Sequence, residues 1–170
     1  MNSNDIRQKF IDYYKAKDHK AIKSYPLLPE DDPTTLFVGS GMQPMLEYFL
    51  GEPHPTGARR IVDSQKCFRA VDIDEVGDNR HTTFFEMLGN WSFGDYWKRE
   101  QLRWVFEFLV DELGLDPKKL YVSVFIGNKR SGLPKDNESV EIWKELFAEK
   151  GIDAKAVELG SSEEGSKQGM

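Results

Sequence analysis

The chain has 170 residues, of which 39% are hydrophobic, 12% aromatic and 31% charged. That is ordinary globular composition, and it excludes a collagen, a coiled coil and a disordered polymer. Lys plus Arg number 23 against 29 Asp plus Glu, a formal charge of −6, which argues against a non-specific nucleic-acid coat but leaves room for a local basic groove.

A chain of this length buries ~70% of its unfolded surface, enough for a core without staples. No run of ~18 apolar residues occurs, so no transmembrane helix is predicted. The opening Met1-Asn2-Ser3-Asn4-Asp5 is polar and lacks the apolar centre of a secretory leader. Cys67 has no second cysteine to pair with, so a reducing cytoplasm is expected. With His19, His54 and His81 it cannot make a tetrahedral zinc site of the usual spacing.

Asn4 caps a predicted helix over about 4–18, with Ile6, Phe10, Tyr13 and Tyr14 at helical spacing. Ala21-Ile22 begins a short extended piece that Pro26 and Pro29 stop, and Glu30 to Pro33 reads as a turn. Thr34 to Val38 is rich in strand formers and closes at Gly39 and Gly41. Met42, Met45, Leu46 and Phe49 fit one helical face. Arg59 to Arg69 and Thr82 to Trp91 read as two strands of a hairpin, joined by an acidic loop over Asp72 to Asn79. Lys98 to Leu113 is the clearest helix, with Leu102, Val105, Phe106 and Leu109 inward and Gly114 as its cap. Leu120 to Ile126 reads as a buried strand, Gly127 to Asn137 as a loop, Val140 to Lys150 as a helix and Ala154 to Leu159 as a last strand. Residues 160–170 carry no strand or helix signal and read as an unstructured tail. A hairpin with interspersed helices predicts an α+β fold with a mostly antiparallel sheet.

Strand alternation places Gln65, Cys67 and Arg69 on one face of the hairpin, and His81, Thr83, Phe85 and Met87 together on one face of its second strand. Two cations and an aromatic ring on a rigid hairpin suit a nucleotide, because a guanidinium fork matches phosphate oxygens and a phenyl face stacks on a purine. The alternative is that Arg69 and His81 are solvated charges at strand ends and the phenylalanines are core. Gly39-Ser40-Gly41 lacks Walker spacing and reads as a turn. The acids Asp72, Asp74, Glu75 and Asp78 fail EF-hand spacing and read as a solvated loop. Cys67 reads as a small buried hydrophobe. Trp91, Phe93, Tyr96 and Trp97 could stack bases but read as packing, and Lys98, Arg99 and Arg103 form a basic helix start that could meet RNA phosphates.

Arg69, an acidic loop, then Arg80-His81-x-x-x-Phe85 resembles motif 2 of the class II aminoacyl-tRNA synthetases. Ser64 to Arg69 and His81 to Tyr96, with Leu28-Pro29, Asp32-Pro33-Thr34 and Gly41-Met42 upstream, are similar to the alanyl branch of that family over about residues 4–126. The resemblance implies an antiparallel sheet flanked by helices, incomplete at the C-terminus. It implies activation of alanine with ATP and Mg²⁺, and transfer to the 3′ end of tRNA(Ala) in the cytoplasm. Arg69 would bind the α-phosphate and the amino-acid carbonyl, and His81 would sit by the γ-phosphate. Phe85 would stack on adenine, and Met87 would lie near the nucleotide or alanine pocket. Ala70 to Asp74 stands where many members carry a Gly-Gly-Lys-His segment, so the loop lysine is absent. The family's motif 3 arginine and tRNA-recognition helices are not found here, and zinc is expected only in an editing region beyond these residues. The chain therefore reads as an N-terminal fragment whose partners include the remainder of the same polypeptide. The rival reading is a non-catalytic module that binds nucleotide, RNA or a protein.

Overall fold

The computed structural model describes residues 1–29, 35–128 and 130–157. They fall into two units, Met1–Tyr96 and Trp97–Met170.

In the first unit, helix α1 spans Ser3–Lys15. It starts earlier than the expected Asn4 cap, because Asn2 caps it. The Asn2 side chain accepts from the Asp5 N–H at 3.0 Å, and the Asp5 carboxylate accepts from the Asn2 N–H at 3.0 Å. That reciprocal pair satisfies two donors that the first turn cannot satisfy itself. Phe10 and Tyr14 are the buried residues of α1.

Strand β1 is only Lys20–Ala21, and a 3₁₀ turn Gln43–Met45 leads into α2, Leu46–Phe49. Strands β2, Arg60–Phe68, and β3, Phe84–Ser92, form the predicted hairpin. The sheet order is β1-β2-β3, parallel between β1 and β2 and antiparallel between β2 and β3. The α+β expectation holds, with a small mixed sheet. The acidic connection is not all loop, since Ala70–Glu75 is a 3₁₀ helix. Helix α1 covers one face of the hairpin. Arg7 forks onto Glu86 at 2.6 and 2.9 Å, and Ser64 Oγ donates to the same carboxylate at 2.8 Å.

His19 joins α1 to the far end of β3. Its Nδ1–H donates to the Tyr14 and Lys17 carbonyls at 3.0 and 3.1 Å, which leaves Nε2 to accept from the Tyr96 hydroxyl at 2.8 Å. The Tyr96 oxygen in turn accepts from the Asn90 amide at 2.8 Å. Burial lowers the His19 pKa.

Residues 35–38 are not a strand, contrary to the Thr34 to Val38 expectation; Thr34 lies outside the described residues. Val38 N–H bonds Leu27 O, and Phe68 N–H bonds Val38 O, each at 2.9 Å. Single bonds on either side do not make a ladder.

In the second unit, α3 spans Lys98–Glu107 and runs into a π-helical turn over Phe108–Glu112. Leu113 N–H bonds Phe108 O at 3.0 Å, and Gly114 ends the run at φ +71°. Helix α4, Asn137–Glu149, starts on Asp136, whose carboxylate accepts from Ser139 N–H at 3.2 Å. Phe106 of α3 packs with Ile142, Leu146 and Phe147 of α4, and Leu102 and Trp143 lie against them.

The expected buried strand Leu120 to Ile126 is absent. These residues form no ladder, and Tyr121 is 80% exposed. Strand propensity describes fit to a pleated, half-buried surface, and no neighbouring strand supplies one among the described residues. Residues 154–157 form no strand either, while 158–159 and the expected tail 160–170 lie outside the described residues.

Two outcomes follow from these contacts. Leu146 is 1% exposed, so Leu146→Ala is expected to cost ~3 kcal/mol of stability, read by urea denaturation. A loss below ~1 kcal/mol contradicts the close packing of α3 on α4. For His19 the folded protein prefers the neutral ring, so its stabilisation is complete above the ordinary value of 6.5 and is lost as pH falls below 6.5 through the lowered folded value. His19→Gln is expected to flatten the fall in unfolding free energy between about pH 7 and about pH 5. An unchanged slope contradicts that assignment.

Candidate active site

The hairpin register sets the site. Cys67 stands opposite Phe85, Gln65 opposite Met87 and Asp63 opposite Gly89. These side chains share the face of the hairpin opposite the one that holds Glu86 and α1, as alternation predicts. Arg69 extends the ladder by one bond, its N–H donating to Thr83 O at 2.8 Å.

The Arg69 side chain then turns along the sheet. Its Nε–H donates to Gly39 O at 2.9 Å, and its guanidinium carbon lies 5.3 Å from the centre of the Phe85 ring. Both partners are uncharged. Among the described residues neither terminal nitrogen of Arg69 has a hydrogen-bond partner, and the side chain is exposed. Its forked end therefore keeps its charge and its donors for an incoming anion.

Met87 is the next residue along this face. Its sulfur accepts from the Gly41 N–H at 3.2 Å. His81 stands apart from this group, in the connection before β3. Its N–H and Nδ1 both bond Asp78, at 2.7 and 2.8 Å. These bonds, with one from the Arg80 N–H, hold the Asp78 carboxyl down at about 2. The structure thus brings Arg69, Phe85 and Met87 onto one surface and fixes His81 on the loop side through Asp78.

Gly39-Ser40-Gly41 is a turn, as read from the sequence, but it has a use that the sequence does not signal. The Gly39 N–H donates to the Gln43 side chain at 3.0 Å while its carbonyl anchors Arg69. Nor does the sequence signal Asp63. It is fully buried, and its Oδ1 accepts from the Trp91 indole N–H at 2.9 Å. Burial raises its pKa to about 6. Two polar residues between Asp63 and Arg69 on this face are satisfied or inert. Gln65 is bonded both ways to the Tyr25 backbone, at 2.8 and 3.2 Å. Cys67 is fully buried as expected, and burial pushes its thiol up.

Three of the four aromatics are packing: Trp91 lies 5.9 Å from Phe49, Phe93 lies 5.0 Å from the same ring and Tyr96 is buried, whereas Trp97, expected to pack with them, is 73% exposed. Each cation at the basic start of α3 has a carboxylate partner. Lys98 pairs with Asp136 at 2.7 Å, Arg99 with Glu145 at 3.1 Å and Arg103 with Glu149 at 2.7 Å.

A family model described as tRNA synthetases class II (A) matches residues 5–163. The chain belongs to this family. It is similar to the alanine–tRNA ligase of Treponema denticola, at 51% identity over 156 residues, covering 88% of this chain and 26% of that protein. It is also similar to that of Borreliella burgdorferi, at 49% identity over 148 residues, covering 86% of this chain and 24% of that protein. A third relative is the alanine–tRNA ligase of Rubrobacter xylanophilus, 46% identical over 149 residues and covered to 16% of its length. The chain spans about a quarter or less of these relatives. For this class II synthetase chain, the resemblance of the hairpin and the register of its strands agree.

The indole tests the packing of this face. A Cβ on Gly89 would stand 2.6 Å from Cε2 and 2.7 Å from Nε1 of Trp91. Gly89→Ala therefore has to displace the ring, at an expected cost of ~1–3 kcal/mol in stability together with a changed near-ultraviolet dichroism. An unaltered spectrum and denaturation midpoint contradict the placement of Trp91.

Proposed function

We propose that these residues form part of the catalytic domain of an alanine–tRNA ligase, which activates alanine with ATP and passes it to the 3′ end of tRNA(Ala) in the cytoplasm. The observation that carries this reading is the Arg69 fork, anchored at Nε by Gly39 O beside Phe85, with its terminal donors unbonded among the described residues. The choice of alanine is supported by the names of the relatives.

In this reading an oxygen of the alanine carboxylate attacks the α-phosphorus of ATP in line. The bond from that phosphorus to the bridging oxygen breaks, pyrophosphate leaves and alanyl-adenylate forms. A terminal ribose hydroxyl of tRNA then attacks the alanyl carbonyl, and AMP leaves. Arg69 bonds the α-phosphate and the carboxylate together, which orients both reactants and meets the charge that grows on the phosphate oxygens. Phe85 offers a stacking face to adenine. His81, oriented by Asp78, faces the γ-phosphate, and Met87 borders the nucleotide or alanine pocket.

Mg²⁺ would neutralise phosphate charge. Among the described residues, no three His, Cys, Asp or Glu side chains gather into a site for it. These residues therefore do not fit a protein cage for the ion, and no step above runs through it. Among the described residues no helix is long and apolar enough to cross a membrane.

The test is alanine-dependent exchange of pyrophosphate into ATP by the complete polypeptide. Arg69→Ala is expected to lower kcat by ~10²–10³, the usual effect of removing one preorganised donor. The denaturation midpoint should barely move, because the side chain is exposed. Near-normal exchange by the variant overturns the role of Arg69. ATP binding by the wild type without any exchange favours the non-catalytic module instead.

A further inference from the structure

We infer that Asp63 is a positioning residue for Arg69: it holds the Trp91 indole against Gly41, and so fixes the turn whose Gly39 carbonyl anchors the arginine. The inference rests on the catalytic reading of Arg69 given above.

Each link is a contact. The Trp91 Nε1–H donates to Asp63 Oδ1 at 2.9 Å. That bond lays the ring flat over Gly89, directly opposite Asp63 in the ladder. The far edge of the indole then reaches Gly41, where an added Cβ would stand 3.0 Å from Cζ2 and 3.5 Å from Cη2. Gly41 is held as well by its N–H to the Met87 sulfur at 3.2 Å. Two residues back, the Gly39 carbonyl accepts from Arg69 Nε at 2.9 Å. Asp63 and Arg69 lie six residues apart on β2 and its extension, too far for direct contact at ~3.3 Å per residue. The turn is what joins them.

Stability alone does not account for a carboxylate in this place. Asp63 is fully buried, and its Oδ2 has no hydrogen-bond partner among the described residues. A buried polar atom left unpaired costs free energy, and a carboxylate costs more than an amide or a hydroxyl. The burial is tolerated at an atom whose partner oxygen orients the indole.

Exchange kinetics with ATP varied, in the complete polypeptide, test the chain of contacts. Asp63→Leu removes the acceptor and Trp91→Phe removes the donor while keeping a ring. Each is expected to lower kcat/KM for ATP ~10-fold, since small misplacements of a positioning group carry effects of this size. The double variant should fall no more than about twofold below either single, because both act through one bond. Asp63→Asn, which keeps an acceptor, should recover most of the loss. In an Arg69→Ala background, Asp63→Leu should cost less than about twofold, an outcome that a merely structural role would not give. Trp91→Phe carries the comparison if Asp63→Leu does not fold.

Solvent exchange of the Arg69 Nε–H, followed by NMR, reads the same link without activity and is expected to quicken in Trp91→Phe. Full kcat/KM in Trp91→Phe, an undiminished effect in the Arg69→Ala background, or unchanged Nε–H exchange each overturns the inference. A wild type that does not exchange pyrophosphate while its Nε–H responds to Trp91→Phe overturns the catalytic reading and leaves the positioning link standing.

Discussion

Arg69, Phe85 and Met87 stand where they do because Cys67 faces Phe85 across the β2–β3 ladder. A side-chain period of two means that a slip of one residue would carry Phe85 and Met87 to the other face, against α1, and bring Glu86 to the Arg69 side. The register is held from both faces. On one, Glu86 is gripped by Arg7 of α1 and by Ser64 of the neighbouring strand. On the other, Met87 receives the Gly41 N–H and Trp91 binds Asp63. The charged pair and the aromatic pair would both be broken by the same slip, so the two faces specify one pairing together.

That double fixing explains a site built on a hairpin with so few charges. Arg7, Arg60, Arg99 and Arg103 each pair with a carboxylate. Arg69 is held instead by a carbonyl and an aromatic ring. An ion pair would orient it equally well, but the carboxylate would then compete with any anionic ligand and lower the local potential. A carbonyl takes one N–H and leaves the net charge in place. The ring adds an attraction of ~0.5–1 kcal/mol at an exposed site, weak enough for the guanidinium to adjust to a ligand.

The hairpin, α1, α3 and α4 were legible because each satisfies its own backbone. A helix closes its bonds locally, and the two β strands lie close enough in sequence to find each other. The apolar stripe of Phe106, Ile142 and Leu146 was readable from spacing alone. Leu120 to Ile126 has equal strand propensity but no ladder partner among the described residues, and propensity cannot report that. The π-turn at Phe108–Glu112 was equally invisible, since its i→i+5 bond to Leu113 changes no residue type. At the site, Arg69, Phe85 and Met87 followed from alternation, and their roles from the resemblance. Gly39 O and Asp63 did not. A backbone carbonyl carries no side-chain signal, and an aspartate within a strand reads as a solvent-facing residue until its partner is known.

The two glycines that face the indole show how such a partner is accommodated. Trp91 reaches Asp63 only by lying across Gly89, and it meets Gly41 at a distance that leaves no room for a methyl group without movement. Neither glycine is there for a left-handed backbone, since neither has a positive φ. Their requirement is the volume of one methyl each. A large ring bonded at one end and seated between two absent side chains has little freedom to turn, and the Gly39–Gly41 turn inherits that rigidity. Pre-organisation of the Arg69 fork therefore traces to empty space as much as to hydrogen bonds, which is how an exposed arginine can be held in place without a carboxylate beside it.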